Sequence, residues 1–207
     1  MAHERFEQGA ATWDDNPARV RNAETLASAI LQKAEVSETD TVVDYGCGTG
    51  LVTLAVAPHV GRVIAIDSSP AMLSVLREKA QMRGLDHVAT VQADLERDEP
   101  PTVEADLVLT TMVLHHVTDI PAVLRRLAAM VRPGGLLAVA DLDAEDGSFH
   151  ADRAGVVHFG FDRAWLRAQF EVAGLVQVAD ETANTLERDR PDGPRRYTVF
   201  LMLGTKR

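Results

Sequence analysis

The chain has 207 residues, 46% of them hydrophobic, enough to fill one core without staples; its formal charge of −10 works against binding phosphate backbones or anionic lipid heads. Its one cysteine, Cys47, excludes an internal disulfide and suits a reducing compartment, so a cytoplasmic location is expected. Met1 to Trp13 carries charges and no apolar run, so neither a signal peptide nor an anchor is expected there, and no later run approaches the ~20 apolar residues of a membrane span.

Asn16-Pro17 reads as an N-cap with proline in the first turn of a helix running to about Lys33. Thr41 to Tyr45 is a short buried strand ending in Gly46. Leu51 to Ala57 is helical until Pro58, and Arg62 to Ile66 is a second buried strand. Ser69-Pro70 opens a helix whose stripe is Met72, Leu73, Leu76 and Ala80 and whose stop is Gly84. His87 to Gln92 and Asp106 to Thr110 are the third and fourth strands. A helix then carries Ile120, Val123, Leu124, Leu127 and Val131 at helical spacing; Pro133-Gly134-Gly135 ends it, and Leu136 to Ala140 is the fifth strand. Strands alternating with helices indicate a parallel sheet covered on both faces. In the tail, Asp162 caps a helix carrying Leu166 and Phe170 that stops at Gly174. Leu175 to Thr182 and Tyr197 to Leu203 read as an antiparallel hairpin, and the charged link Glu187 to Arg196 as its solvated tip.

The chemistry is concentrated in Asp44-Tyr45-Gly46-Cys47-Gly48-Thr49-Gly50, where a buried strand ends in alternate glycines before a helix. Glycine is needed where the chain turns sharply and where a ligand touches backbone. Such a loop alone serves nicotinamide, flavin and S-adenosylmethionine (SAM) proteins alike. Asp67, at the end of the second strand, has the position and spacing of an acid that accepts ribose hydroxyls, and it is equally a cap for the next helix. Asp94, after the third strand, is either an acceptor for an adenine amino group, with Leu95 packed on the ring, or a turn residue. The spacing Gly-x-Gly-x-Gly and the acid Asp44 suit a ligand without a pyrophosphate, because Asp44 would repel one.

On these residues the stretch Thr41 to Asp141 resembles the class I SAM-dependent methyltransferases of the broad type 11 group. Asp44 to Gly50 is similar to the group's first motif, Asp67-Ser68-Ser69-Pro70-Ala71-Met72-Leu73 to its second, and Asp94-Leu95 to its adenine-side motif. Asp106 to Val117 is similar to the fourth strand and following loop, and Arg132 to Gly135 to the turn before the fifth strand. The resemblance implies an α/β, Rossmann-like, doubly wound sheet of seven strands in the order 3-2-1-4-5-7-6, with strand 7 antiparallel. It implies one domain over 1–207, with a helical lid (1–36), a SAM-binding core (37–142), and a substrate loop, helix and terminal hairpin (143–207). SAM, leaving as S-adenosylhomocysteine (SAH), is then held by Asp44, Gly46, Cys47, Gly48, Gly50, Asp67, Ser68, Met72, Asp94, Leu95, Thr110 and Thr111. Met72 also lies on its helix's core stripe, and Cys47 reads as a small buried residue rather than a nucleophile.

Methyl transfer from a sulfonium is an in-line displacement that asks mainly for alignment, and for a base only if the acceptor must lose a proton. His115 and His116, after the fourth strand, and His158, in the loop after the fifth, are the candidates for acceptor chemistry, with loop orientation as the competing role. Asp141 and Asp143 are a base or strand terminators. Trp13 is a core anchor or part of the lid, and Arg19 or Arg21 either meets the methionine carboxylate or stays solvated. No histidine spacing suggests a metal. The expected partner is a small-molecule acceptor rather than nucleic acid or a membrane, with the oligomeric state open. An RNA or protein methyltransferase and a non-catalytic SAM or nucleotide binder are the competing readings.

Overall fold

The computed structural model describes residues 2–190 and 193–207. Its strands are β1 (Thr41–Tyr45), β2 (Arg62–Asp67), β3 (Val88–Gln92), β4 (Ala105–Thr111), β5 (Val131–Leu142), β6 (Leu175–Arg190) and β7 (Gly193–Lys206). They lie in the order β3-β2-β1-β4-β5-β7-β6. β1 to β5 are parallel, and β7 is antiparallel to both of its neighbours, as expected. The helices are α1 (Ala2–Gly9), α2 (Pro17–Ala34), α3 (Leu51–Val56), α4 (Pro70–Met82), α5 (Ile120–Met130) and α6 (Arg163–Val172). No helix among the described residues is long and apolar enough to cross a membrane.

β1 shows why both faces of the sheet are covered. Val42 and Val43 are adjacent and fully buried, yet Val42 packs with Leu26 and Ile30 of α2 and Val43 with Val123, Leu124 and Leu127 of α5. Side chains alternate along a strand, so consecutive apolar positions require a helical layer on each side. β7 repeats the pattern, with Phe200 and Met202 on the α5–α6 side and Val199 and Leu201 on the α2 side. The helix starts are set by side chains that accept orphan N–H groups: Asn16 from Ala18, Ser69 from Met72, Asp119 from Ala122 and Asp162 from Trp165.

Two boundaries differ from expectation. Val131, expected on the stripe of α5, is the first residue of β5 and pairs with Ala105. Leu136 pairs with Leu107, so Arg132 to Gly135 bulge out of the ladder. Gly135 is required there, because a Cβ would lie 2.8 Å from the Asp106 carbonyl oxygen. The hairpin strands are also much longer than expected. Pairing continues through Glu187↔Arg196 to Arg190↔Gly193, leaving only Pro191 and Asp192, which lie outside the described residues. Backbone groups make this ladder, so charged side chains do not end it.

The register of β6 shifts between Thr182, opposite Phe200, and Asn184, opposite Val199. Two steps on β6 therefore match one on β7, and the residues of even number change faces. Asn184, Leu186, Arg188 and Arg190 thus share the α2 side, where Asn184 donates to Asn22 at 2.8 Å.

Candidate active site

The glycine loop leaves β1 at the carboxyl edge of the sheet. Gly46, Gly48 and Gly50 all have positive φ, at 71°, 53° and 82°. A Cβ on Gly46 would sit 2.3 Å from Val113 Cγ2, and one on Gly50 2.2 Å from Leu76 Cδ1, so both positions are also packed tight. At Gly48 a Cβ would meet nothing within 4 Å, and this residue lines a cavity of about 1010 Å³. The N–H groups of Gly46 and Cys47 both donate to the Ile66 carbonyl, at 2.8 and 3.1 Å, tying the loop to β2.

Asp67 braces the same loop. Its Oδ2 accepts the Gly48 N–H at 2.8 Å and its Oδ1 the Ser69 N–H at 2.9 Å. The cap of α4 is Ser69 and not Asp67, which instead holds the Ser69 N–H and the glycine loop and lines the cavity.

Asp44 stands fully buried behind the loop. The Thr53 hydroxyl donates to its Oδ2 at 2.5 Å, and its Oδ1 has no partner among the described residues. Burial pushes this carboxyl from 3.8 up to about 7, against the Thr53 bond and with help from the nearby charge of Asp67. Burial first, then Asp44 and Asp67, also push the Cys47 thiol well up, which fits a small structural residue rather than a nucleophile.

Cys47, Ser68, Met72, Asp94 and Thr111 line the cavity with Gly46 and Gly48. Asp94 also shapes its turn, accepting the Glu96 N–H at 3.0 Å while its own N–H donates to Asp98 at 2.8 Å. Four expected contacts are not at the wall: Asp44 is buried behind the loop and Gly50 packs against Leu76, and Leu95 and Thr110 are also turned away. Leu95 is fully buried with Tyr45 and Ile66, behind Asp94 instead of on the cavity. Thr110 is buried inside the sheet, since strand alternation turns only one of Thr110 and Thr111 toward the cavity.

The opposite wall begins in the turn Leu114–His116 after β4. His115 is 2% exposed, and its Nδ1 lies 2.7 Å from Asp141 Oδ1. Asp141 also accepts the Leu142 N–H at 2.8 Å and the His115 N–H at 3.3 Å. Burial works to raise this carboxyl, but the charge and bonds of His115 and the N–H of Leu142 outweigh it and hold it below the usual carboxylate value. A carboxylate only accepts, so His115 Nδ1 carries the proton. The His116 and His150 rings lie 4.1 and 5.0 Å from the His115 ring, and all three line the cavity. His116 Nδ1 donates to the Gly155 carbonyl at 2.7 Å.

His158, expected to contact the acceptor, does not line the cavity. Its Nε2 donates to the Val117 carbonyl at 3.0 Å and its ring lies beside Phe161, so it fastens the loop. Asp143 is held in a two-pronged pair by Arg163 and ends the strand. Among the described residues no three His, Cys, Asp or Glu are placed to hold a metal ion.

The N-terminal segment supplies Phe6, Trp13 and Arg19 to the cavity, while Arg21 does not reach it. The Arg19 guanidinium sits 3.9 Å over the Trp13 ring, and Phe6 meets that ring edge-on. Sequence reasoning missed Asp14. Its Oδ1 accepts the Thr49 hydroxyl at 2.6 Å and its Oδ2 meets Lys79 Nζ at 2.6 Å, so one side chain joins this segment to the glycine loop and α4. Arg188 and Arg190, expected at a solvated tip, instead line the cavity. Their two-residue spacing from the apolar Leu186 was the available signal.

Residues 42–135 match the family model described as a methyltransferase domain. The chain carries a class I SAM-dependent methyltransferase domain. This methyltransferase is 28% identical to an uncharacterized methyltransferase of Schizosaccharomyces pombe, over 70% of this chain and 68% of that protein. It is 36% identical to a ubiquinone biosynthesis O-methyltransferase of Methylocella silvestris, over 52% of this chain and 42% of that protein. It is 33% identical to a trans-aconitate 2-methyltransferase of an Azoarcus species, over 62% and 50%. The chain thus spans about half the length of the latter two relatives. Among solved structures, the YcgJ protein of Bacillus subtilis has the same fold, with a TM-score of 0.72 at 18% identity over 87% of this chain and 97% of that one. So does a chain of the complex between the Haloferax volcanii Trm112 methyltransferase activator and a methyltransferase, with a TM-score of 0.77 at 23% identity over 97% and 96%.

Proposed function

We propose that this chain transfers the methyl group of SAM to a small-molecule acceptor. The observation that carries this reading is one continuous cavity joining the glycine loop, Asp67 and Asp94 to the rings of His115, His116 and His150. The donor set fits the cofactor: open backbone at Gly48 and a ribose-side acid, Asp67, on the same cavity. SAM brings a methyl group already activated on sulfur. The chain's own work is then to bind, align and exclude water. In this reading Asp67 accepts from the ribose hydroxyls, Asp94 faces the adenine edge, and Trp13 and Phe6 cover the site. His115, held by Asp141 with Nε2 as its free acceptor, takes a proton from an acceptor hydroxyl or amine.

The relatives named for ubiquinone biosynthesis and trans-aconitate methylation support a small-molecule acceptor. The structural neighbour found with a methyltransferase activator is the reason to test RNA and protein beside metabolites. Calorimetry is expected to show binding of SAM and SAH and none of NAD. Labelled methyl from SAM is expected in a metabolite fraction and not in RNA or protein fractions. Label in RNA or protein would overturn the acceptor class, and SAM binding with no transfer to any fraction would leave a non-catalytic binder. Asp67→Ala should weaken SAM binding roughly 10- to 100-fold by removing a charged acceptor; unchanged affinity would take Asp67 out of the site.

A further inference from the structure

We propose that Arg188 and Arg190 form an oxyanion subsite for the methyl acceptor, binding a carboxylate or phosphate carried on an apolar body. The proposal rests on the methyltransferase reading and names the acceptor's chemical class. The register shift in β6 turns both side chains toward the cavity, one pleat apart, beyond the buried Leu186. Arg188 is half-buried and makes no hydrogen bond or ion pair among the described residues; its contact is the Phe149 ring, 5.0 Å away. Burial and the neighbouring charge of Arg190 both disfavour its protonated form. Among the described residues Arg190 is fixed by neutral groups, with its Nη2 donating to the Phe149 carbonyl at 2.5 Å, its Nε to the Tyr197 hydroxyl at 3.3 Å and its Nη1 to the Asp189 carbonyl at 3.5 Å. Asp152 lies on the same cavity but receives the Ala154 N–H, and it is not among the charges that bear on Arg188.

Two like charges turned into a partly desolvated wall cost stability unless an anion meets them. Elsewhere in this acidic chain guanidinium groups find carboxylates readily, as Arg163 finds Asp143 and Arg195 finds Asp146. A guanidinium fork matches the planar carboxylate and the phosphate oxygens, and the Phe149 and His150 rings beside it offer a face for an apolar body.

The test uses the full chain saturated with SAH and three probes of one shape: 2-naphthoate, 2-naphthyl phosphate and the uncharged 2-naphthamide. Calorimetry is expected to show at least one anion binding roughly tenfold or more tighter than the amide; the tighter of the two names the group. Arg188→Met should abolish that preference and Arg188→Lys keep part of it, with SAH affinity unchanged in both. Because Arg188 makes no hydrogen bond among the described residues and shares its wall with a like charge, neither substitution should lower the thermal midpoint. Equal binding of the three probes, or a preference that survives Arg188→Met, overturns the subsite while leaving the methyltransferase reading intact. Failure of the wild-type chain to bind SAH removes that reading and the subsite together.

Discussion

Asp141→Ala is expected to destabilise the chain by about 3–5 kcal/mol, because it strips one acceptor from three buried donors and half of a buried pair. The donors are the His115 ring, the His115 N–H and the Leu142 N–H, around a side chain with no exposed surface. Chemical denaturation would register this as a lowered midpoint with an unchanged slope. Asp141→Asn keeps the shape and one good acceptor, so it should fold and bind SAM normally. It cannot stabilise a positive imidazole, and methyl transfer should fall about 100-fold or more. A folded Asp141→Asn protein with wild-type turnover would reduce His115 to an orienting residue.

The second large effect is on stability against pH. The Asp44 carboxyl titrates near 3.8 when unfolded and at about 7 when folded, so the folded state prefers the proton. Below about pH 4 both states are protonated and the group contributes nothing. From there to about pH 7 its contribution becomes steadily more unfavourable, reaching on the order of 4 kcal/mol, and it stays so above pH 7. Asp44→Asn should therefore be the more stable protein at pH 8, with the advantage vanishing toward pH 4. Thermal melts of the two proteins that run parallel across this range would sink the assignment. Saturating SAM, which brings positive charge close to the loop, should flatten the wild-type dependence and bind Asp44→Asn less tightly.

How much was legible in advance follows from how local each signal is. Val42-Val43, the stripe of α4 and the caps Asn16, Ser69 and Asp162 are short-range patterns, and strand order followed from them together with the family resemblance. The glycine loop, Asp67 and Asp94 were readable because turns and a sheet edge place them by spacing alone. Leu95 and Thr110 were misplaced relative to the cavity because one step along a chain decides which side of a wall a residue occupies. His158 looked functional from its loop but is spent on a backbone carbonyl, 41 positions away, at Val117. Asp14 carried no sign at all: its partners Thr49 and Lys79 are 35 and 65 positions distant. The arginines of β6 were lost for a different reason, since their facing depends on a register with β7, past an extra residue in the ladder, that no composition reveals.

That extra residue is accommodated locally. Deleting Ala183 would remove the bulge yet leave every pair from Asn184↔Val199 to Arg190↔Gly193 in place, so both arginines would still face the cavity and only the local bend of the ribbon would be lost. The positive character of that wall is therefore set by the register with β7 and not by the number of residues that precede it.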